Sequence, residues 1–266
     1  MNERLLHSLG KDFLDYLHEW HAVTGYLPFQ ELAAAEDLKV DDTADIEDQY
    51  IKPKRLILLN RNQGVRRKRF TGMHEIAHHV FKTSEDGRFV RELERIFPGS
   101  LDARREFEEV FVELGGFQLL IPRPTFLEVC ANYEDDAKRA QILAIKAGCS
   151  LAAAGQRIAL DATRPVGGII LDTNGFVSDF FVNQIKKHLR AGRHFVIDDS
   201  HPIRQAPFKP NEVEYFKATI PYKFSRKKYA RYMQGLYDEK RGQIIVFFNA
   251  PHSKKRGYHS LFSDFA

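Results

Sequence analysis

Cysteine is scarce in this chain, which has only Cys130 and Cys149 among its 266 residues. The two lie too far apart for a C-x-x-C metal site, and two thiols cannot form the disulfide framework of a small secreted protein. We therefore expect both to be free thiols that behave as buried apolar residues.

Long apolar segments are also missing. No run approaches the roughly 18 residues that a membrane span needs, and no repeat or low-complexity tract is visible. Residues 1–21 alternate charged residues with Leu, Phe and Trp, and they lack the apolar core and cleavage site of a secretion signal. We expect an amphipathic helix there, and a cytoplasmic protein without a membrane partner.

Neither sign of charge dominates, since 40 Lys and Arg stand against 36 Asp and Glu, but basic residues accumulate late in the chain. Residues 222–232 interleave bases with aromatic rings, and a second basic run covers 254–256. Such a pattern suits binding of nucleic acid, in which Lys and Arg contact the phosphates and the aromatic rings stack on the nucleobases. The alternative is a solvated basic face whose aromatic rings point to the core. The residues of the first run are Tyr222, Lys223, Phe224, Arg226, Lys227, Lys228, Tyr229, Arg231 and Tyr232.

The first half of the sequence combines helical patterns with one short apolar run. Residues 28–38 predict a helix, the acidic stretch 41–48 predicts a loop, and Arg55–Asn60 predicts a short buried strand. Ser100 is expected to cap a longer helix that ends before Pro122.

The second half changes from helical to strand-like patterns near residues 160–165. Segment 144–160, AIKAGCSLAAAGQRIAL, has the pattern of a helix-turn-helix. Its second helix offers a DNA base only Gln156 and Arg157, which argues against direct reading of DNA. Later segments predict strands, with a helix over 183–192 among them. We expect an α+β protein with a first domain, a helical helix-turn-helix-like segment and a mixed α/β domain, bounded at 1–125, 126–161 and 162–266.

The segment TGMHEIAHHVF, Thr71 to Phe81, carries the clearest chemistry. Thr71 is expected to cap a helix on which His74 and His78 lie one turn apart on the same face. Two imidazoles at this spacing suit one divalent ion, most naturally zinc, with manganese as the alternative. Glu75 projects beside such an ion, where its carboxylate can take a proton from water, so we assign it as the catalytic base.

A catalytic zinc site needs a third protein ligand and an open position. The acidic helix downstream offers four carboxylates. Its Gly115 and Gly116 would let it pack closely against the helix that carries His74 and His78, although each glycine lowers helix stability by about 1 kcal/mol relative to Ala. The alternative is that these glycines only fray the helix before Pro122. The four candidates are Glu106, Glu108, Glu109 and Glu113.

Residues 67–81, RKRFTGMHEIAHHVF, and 108–122, EEVFVELGGFQLLIP, resemble the two signature motifs of the ImmA/IrrE-type zinc metallopeptidases. The resemblance implies a zincin-like first domain. Aligned on Pro122, the family's liganding glutamate falls on Glu109, which would join the two histidines as the third ligand. Glu113 stands where the family usually has Asn, and a carboxylate there could compete as a ligand or orient a ligating histidine.

The layout of the whole chain is similar to that of the IrrE radiation-response regulators, whose last domain is GAF-like. This resemblance implies a site-specific endopeptidase that cleaves a helix-turn-helix repressor and so switches on stress or DNA-damage response genes. A GAF-like domain implies a sensor, for which nucleic acid is one candidate signal. The alternative is a non-catalytic, nucleic-acid-binding transcriptional regulator in which the metal is structural.

Overall fold

The computed structural model describes residues 3–45, 47–162, 166–182, 195–219 and 230–248, and the chain divides into two units, Met1–Arg123 and Pro124–Ala266. Helices dominate the first unit and a large sheet the second, so the expected mixture of α and β structure is confirmed. Among the described helices, none is both long enough and apolar enough to span a membrane.

The first unit combines α-helices with a small three-stranded sheet. Its strand order is β1-β3-β2, with β1 parallel and β2 antiparallel to β3. The predicted strand 55–60 is therefore the central strand of this sheet. In chain order the elements are α1 (Glu3–Val23), α2 (Phe29–Ala35), β1 (Lys39–Ala44), β2 (Gln49–Ile51), β3 (Leu56–Asn60), α3 (Val65–Thr83), α4 (Arg88–Ile96) and α5 (Leu101–Leu120).

An aromatic cluster joins the helices of the first unit. The ring of Phe13 on α1 lies 5.0 Å from that of Phe81 on α3 and 5.2 Å from that of Phe89 on α4, in edge-to-face contacts. All three side chains are fully buried. Such pairs add roughly 0.5–1.5 kcal/mol beyond the apolar area that they bury, so the cluster holds the inner face of α3 firmly in place.

Two local predictions for the first unit are wrong. Helix α3 begins at Val65, with Gly64 before it, so Thr71 lies inside the helix and does not cap it. The basic segment before Thr71 consists mostly of good helix formers and extends the helix toward its start. The acidic stretch predicted as a loop contributes β1, because its backbone pairs with β3 and pairing outweighs the low strand propensity of Asp. Ser100 does cap α5, since its hydroxyl accepts the backbone N–H of Ala103.

The second unit contains a six-stranded sheet in the order β6-β5-β4-β9-β8-β7, in which each described neighbouring pair is antiparallel. Helices α6–α8, from the predicted middle segment, belong to this unit, and the division into three domains remains a prediction. The elements are α6 (Arg123–Asn132), α7 (Asp136–Lys146), α8 (Leu151–Leu160), β4 (Gly167–Asp172), β5 (Phe176–Val182), β6 (Phe195–Val196), α9 (Pro202–Gln205), β7 (Val213–Thr219), β8 (Ala230–Asp238) and β9 (Gln243–Phe248).

Helix α8 packs into the second unit through its polar residues as well as its apolar ones. Gln156 is 3% exposed and exchanges hydrogen bonds with the backbone of Val182 on β5. Arg157 is buried, pairs with Asp161 and lies over the ring of Phe126. Because both side chains are already engaged, α8 does not present them to a DNA groove.

Several sequence predictions fall on residues that the structure does not describe. The helix expected over 183–192, the basic run 254–256 and most of the basic–aromatic run 222–232 lie outside the described residues. From that run Tyr232 is exposed on β8, with Lys217 Nζ 4.4 Å from its ring centre. Both cysteines are free thiols, as expected, with Cys149 buried and Cys130 partly exposed.

Candidate metal centre

Helices α3 and α5 cross at Gly115 and Gly116 of α5, which have no side chains. A Cβ on Gly116 would lie 3.2 Å from the Cα of His74, and a Cβ on Gly115 would lie 3.3 Å from the Cβ of Ala77. Contacts this short leave no room for a larger residue beside the backbone of α3. The two glycines therefore allow the close packing that the sequence predicts, and this packing sets which residues of α5 face His74.

The crossing brings His74, His78 and Glu109 together. Glu109 Oε2 lies 3.5 Å from His74 Nε2, and Glu109 Oε1 lies 3.2 Å from His78 Nε2. One ligand atom from each residue can be chosen so that all three lie within 4.8 Å of one another. Two atoms that each bind a tetrahedral zinc at about 2.0–2.1 Å lie roughly 3.3 Å apart, so the observed spacing suits a single ion.

The three side chains differ in their exposure. The side chain of His78 is 8% exposed and that of His74 is 18% exposed, whereas Glu109 is 61% exposed. Hydrogen bonds to His74 and His78 hold the pKa of Glu109 well below its ordinary value, so this carboxylate stays ionised. The histidines thus line the inner side of the cluster, and solvent reaches it past Glu109.

Glu75 is buried next to this cluster. Burial raises the pKa of its carboxyl above the ordinary value, while the neighbouring His78 and His74 act in the opposite direction. A carboxylate with a raised pKa accepts a proton more readily near neutral pH. The predicted base is therefore placed where it can exchange a proton with a group on the cluster.

Comparison with known proteins agrees with this geometry. Residues 33–159 match the peptidase family described as the IrrE N-terminal-like domain. This stretch, slightly less than half of the chain, is similar to the IrrE N-terminal-like domain. The match contains the two histidines, Glu75 and Glu109, and the resemblance noted in the sequence is confirmed. No curated protein sequence matches the chain.

The chain also resembles a solved structure, a Mycobacterium tuberculosis transcriptional regulator. The two are 12% identical with a TM-score of 0.56, and the alignment covers 90% of this chain and 76% of the regulator. At this identity the likeness shows a shared fold and no more.

Within the IrrE N-terminal-like stretch, the four acidic candidates on α5 have different surroundings. Glu109 joins the histidines, and Glu108 Oε1 lies 2.8 Å from the Nδ1 of His78. Glu106 and Glu113 are exposed, and their side chains form no hydrogen bond or ion pair with another described residue. The carboxylate that orients a histidine from outside the cluster is thus Glu108, where the sequence had offered Glu113 for this role.

Lys82 completes this arrangement, and sequence reasoning missed it. Its Nζ lies 2.9 Å from the same Glu108 oxygen that contacts His78. Burial raises the pKa of Glu108, but hydrogen bonds to His78 and Lys82 outweigh that effect and lower it. Lys82 follows His78 by four residues and so lies on the same face of α3, a spacing that could have identified it. The ion pair with Lys82 holds Glu108 outside the cluster, and Glu109 is the carboxylate that groups with both histidines.

Proposed function

We propose that this chain is a metal-dependent, site-specific endopeptidase. The observation that supports the proposal is the convergence of His74, His78 and Glu109 beside a buried Glu75. Two imidazoles and one carboxylate are the donor set of known catalytic zinc sites, which keep a further position open. Zinc is the ion that we expect, with manganese as the alternative.

In this proposal the two histidines and Glu109 hold the ion, which when bound would polarise a carbonyl group and make water more acidic. Glu75 takes a proton from the attacking water and passes it to the leaving amine. Glu108 accepts the Nδ1–H of His78 and so keeps the Nε2 lone pair directed at the ion.

The substrate that we propose is a helix-turn-helix transcriptional repressor in the cytoplasm, whose cleavage would release stress or DNA-damage response genes. The family resemblance supports this choice. We further propose a GAF-like sensor role for the second unit, where Ile203, Phe208 and Arg204 help to line a cavity of about 280 Å³. A volume of that order accommodates a small molecule, and nucleic acid at the basic run 222–232 remains the other candidate signal.

The test is cleavage of purified helix-turn-helix repressors encoded near this chain in its genome, with zinc added. Glu75→Gln should reduce kcat by roughly 10²–10⁴-fold, the range of general acid–base catalysis. Glu106→Gln is the matched control, because Glu106 is exposed and has no partner among the described residues. Equal cleavage by the wild type and Glu75→Gln would show that Glu75 is not the base.

The alternative is a non-catalytic, nucleic-acid-binding regulator with a structural metal. It predicts salt-dependent DNA binding by Glu75→Gln that equals wild-type binding, together with no cleavage of any repressor. The burial of Gln156 and Arg157 on α8 argues against DNA binding through the helix-turn-helix-like segment, and for this reason we favour the peptidase.

A further inference from the structure

The contacts between α3 and α5 follow one another in a row along the crossing. At one end, the ring centres of Phe70 on α3 and Phe117 on α5 lie 4.7 Å apart. His74 and His78 follow Phe70 at intervals of four residues and so share its face of α3. They contact Glu109, which precedes Phe117 on α5. The two helices therefore pass in opposite directions, and the aromatic pair of Phe70 and Phe117 continues the row of metal ligands.

The two ends of this row differ in polarity. Beyond the second histidine the row continues with Lys82, whose ammonium group pairs with Glu108. At the opposite end it continues with the aromatic pair, whose side chains carry no polar group. A peptide that binds across the metal cluster would therefore meet an ion pair on one side and an apolar surface on the other.

The aromatic pair is more exposed than the phenylalanines that α3 and α5 contribute to the core. Phe81 and Phe111 are fully buried, whereas Phe70 and Phe117 are each partly exposed. The guanidinium of Arg67 lies 5.6 Å from the ring centre of Phe70, but Arg67 is itself exposed, and a cation–π contact at an exposed site is weak. The pair thus retains apolar surface that a ligand can cover.

The aromatic pair also lies close to the metal ligands. The ring centre of Phe70 lies 6.2 Å from that of His74. One residue of an extended peptide spans about 3.3–3.6 Å, so the pair lies within about two residues of a group that is held at the cluster. A substrate residue beside the bond that is cut can therefore reach the two rings.

We propose that Phe70 and Phe117 are specificity-determining residues that bind an apolar side chain, such as that of leucine, in the substrate residue next to the scissile bond. Such a side chain is stabilised by leaving water, whereas a charged one would lose hydration without gaining a partner on the rings. The role in selecting a substrate rests on the proposed peptidase function. Binding of an apolar side chain beside the metal cluster does not require cleavage.

Binding can be measured without activity, by calorimetry of the zinc-loaded, full-length protein with two hydroxamates, which chelate zinc through two oxygens. N-acetyl-leucine hydroxamate carries an apolar side chain, and N-acetylglycine hydroxamate carries none. We expect the wild type to bind the leucine compound about tenfold more tightly, because its side chain buries apolar area. Phe70→Ala and Phe117→Ala should reduce this ratio to about twofold, whereas Phe117→Leu should retain most of it.

Phe107→Ala is the matched control. Phe107 is another partly exposed phenylalanine of α5, but its ring stacks on that of Phe97 at 5.1 Å. This variant should show the wild-type ratio. Equal affinity of the wild type for the two hydroxamates would overturn the inference, and this comparison needs no variant to fold. A ratio that is unchanged in both Phe70→Ala and Phe117→Ala would also overturn it.

The same measurement separates this inference from the proposed function. If both hydroxamates bind equally, the specificity role is wrong and the metal centre stands. If neither binds, the metal centre, the peptidase proposal and this inference are overturned together. The second readout is the cleavage site of a repressor that the protein cuts. We expect an apolar residue on at least one side of the cut bond, and a cut between two charged residues would contradict the role of the aromatic pair.

Discussion

The affinity of the metal-free protein for a divalent ion should rise steeply with pH because His78 holds a proton that the metal must displace. Burial lowers the pKa of His78, but hydrogen bonds to Glu108 and Glu109 outweigh it and raise the pKa to about 9. Only neutral imidazole binds a metal. With that pKa, about 1% of His78 is neutral at pH 7 and about half at pH 9, so the apparent affinity should increase about 50-fold.

The assay is competition between the full-length protein and a chromophoric chelator for zinc, at several pH values and constant ionic strength. Glu108→Gln removes the negative charge beside Nδ1 of His78 and should lower the pKa of His78. The zinc affinity of this variant should therefore depend less steeply on pH. Glu106→Gln should retain the wild-type slope. A wild-type affinity that is constant between pH 7 and 9, after correction for the chelator, would refute the reasoning.

The same proton should appear in the stability of the metal-free protein. The folded pKa of His78, about 9, exceeds its unfolded value near 6.5, so the stabilisation is complete below pH 6.5 and is lost as pH rises through 9. The full shift corresponds to about 3 kcal/mol, which we reduce to about 2 kcal/mol because the Glu109 side chain is 61% exposed and solvent screens its charge. Urea unfolding at pH 6.5 and 9.5 measures the difference, and zinc should abolish it.

Two further predictions concern the helix crossing and the third ligand. Gly116→Ser should destabilise the protein by about 1–3 kcal/mol and weaken zinc binding, because its Cβ would press on the backbone of His74; Gly64→Ser is the control, since nothing lies within 4 Å of a Cβ there. Glu109→Gln should reduce zinc affinity by more than the roughly 100-fold typical of a lost outer partner, and Glu113→Gln should not change it. Equal losses in the two glutamate variants would mean that the third ligand is misassigned.

Local sequence patterns were sufficient where the structure depends on neighbours along the chain. The spacing of four residues in the segment HEIAH places His74 and His78 on one face of α3, because the helix repeats every 3.6 residues. Ser100 caps α5 because its hydroxyl reaches an N–H three residues later. The first turns of α3 were not predicted, because the helix begins at Val65 without a side-chain cap. Strand β1 was not predicted, because it depends on pairing with β3.

The sequence by itself determined the chemistry that this protein can carry: two imidazoles and a base on one helix, and a choice of carboxylates on another. Only the tertiary structure decided how these groups are arranged. The close crossing at Gly116 directs Glu109 to both histidines and Glu108 to the far side of His78. Helical periodicity relates residues within one helix, whereas distances between elements depend on packing that no single segment encodes.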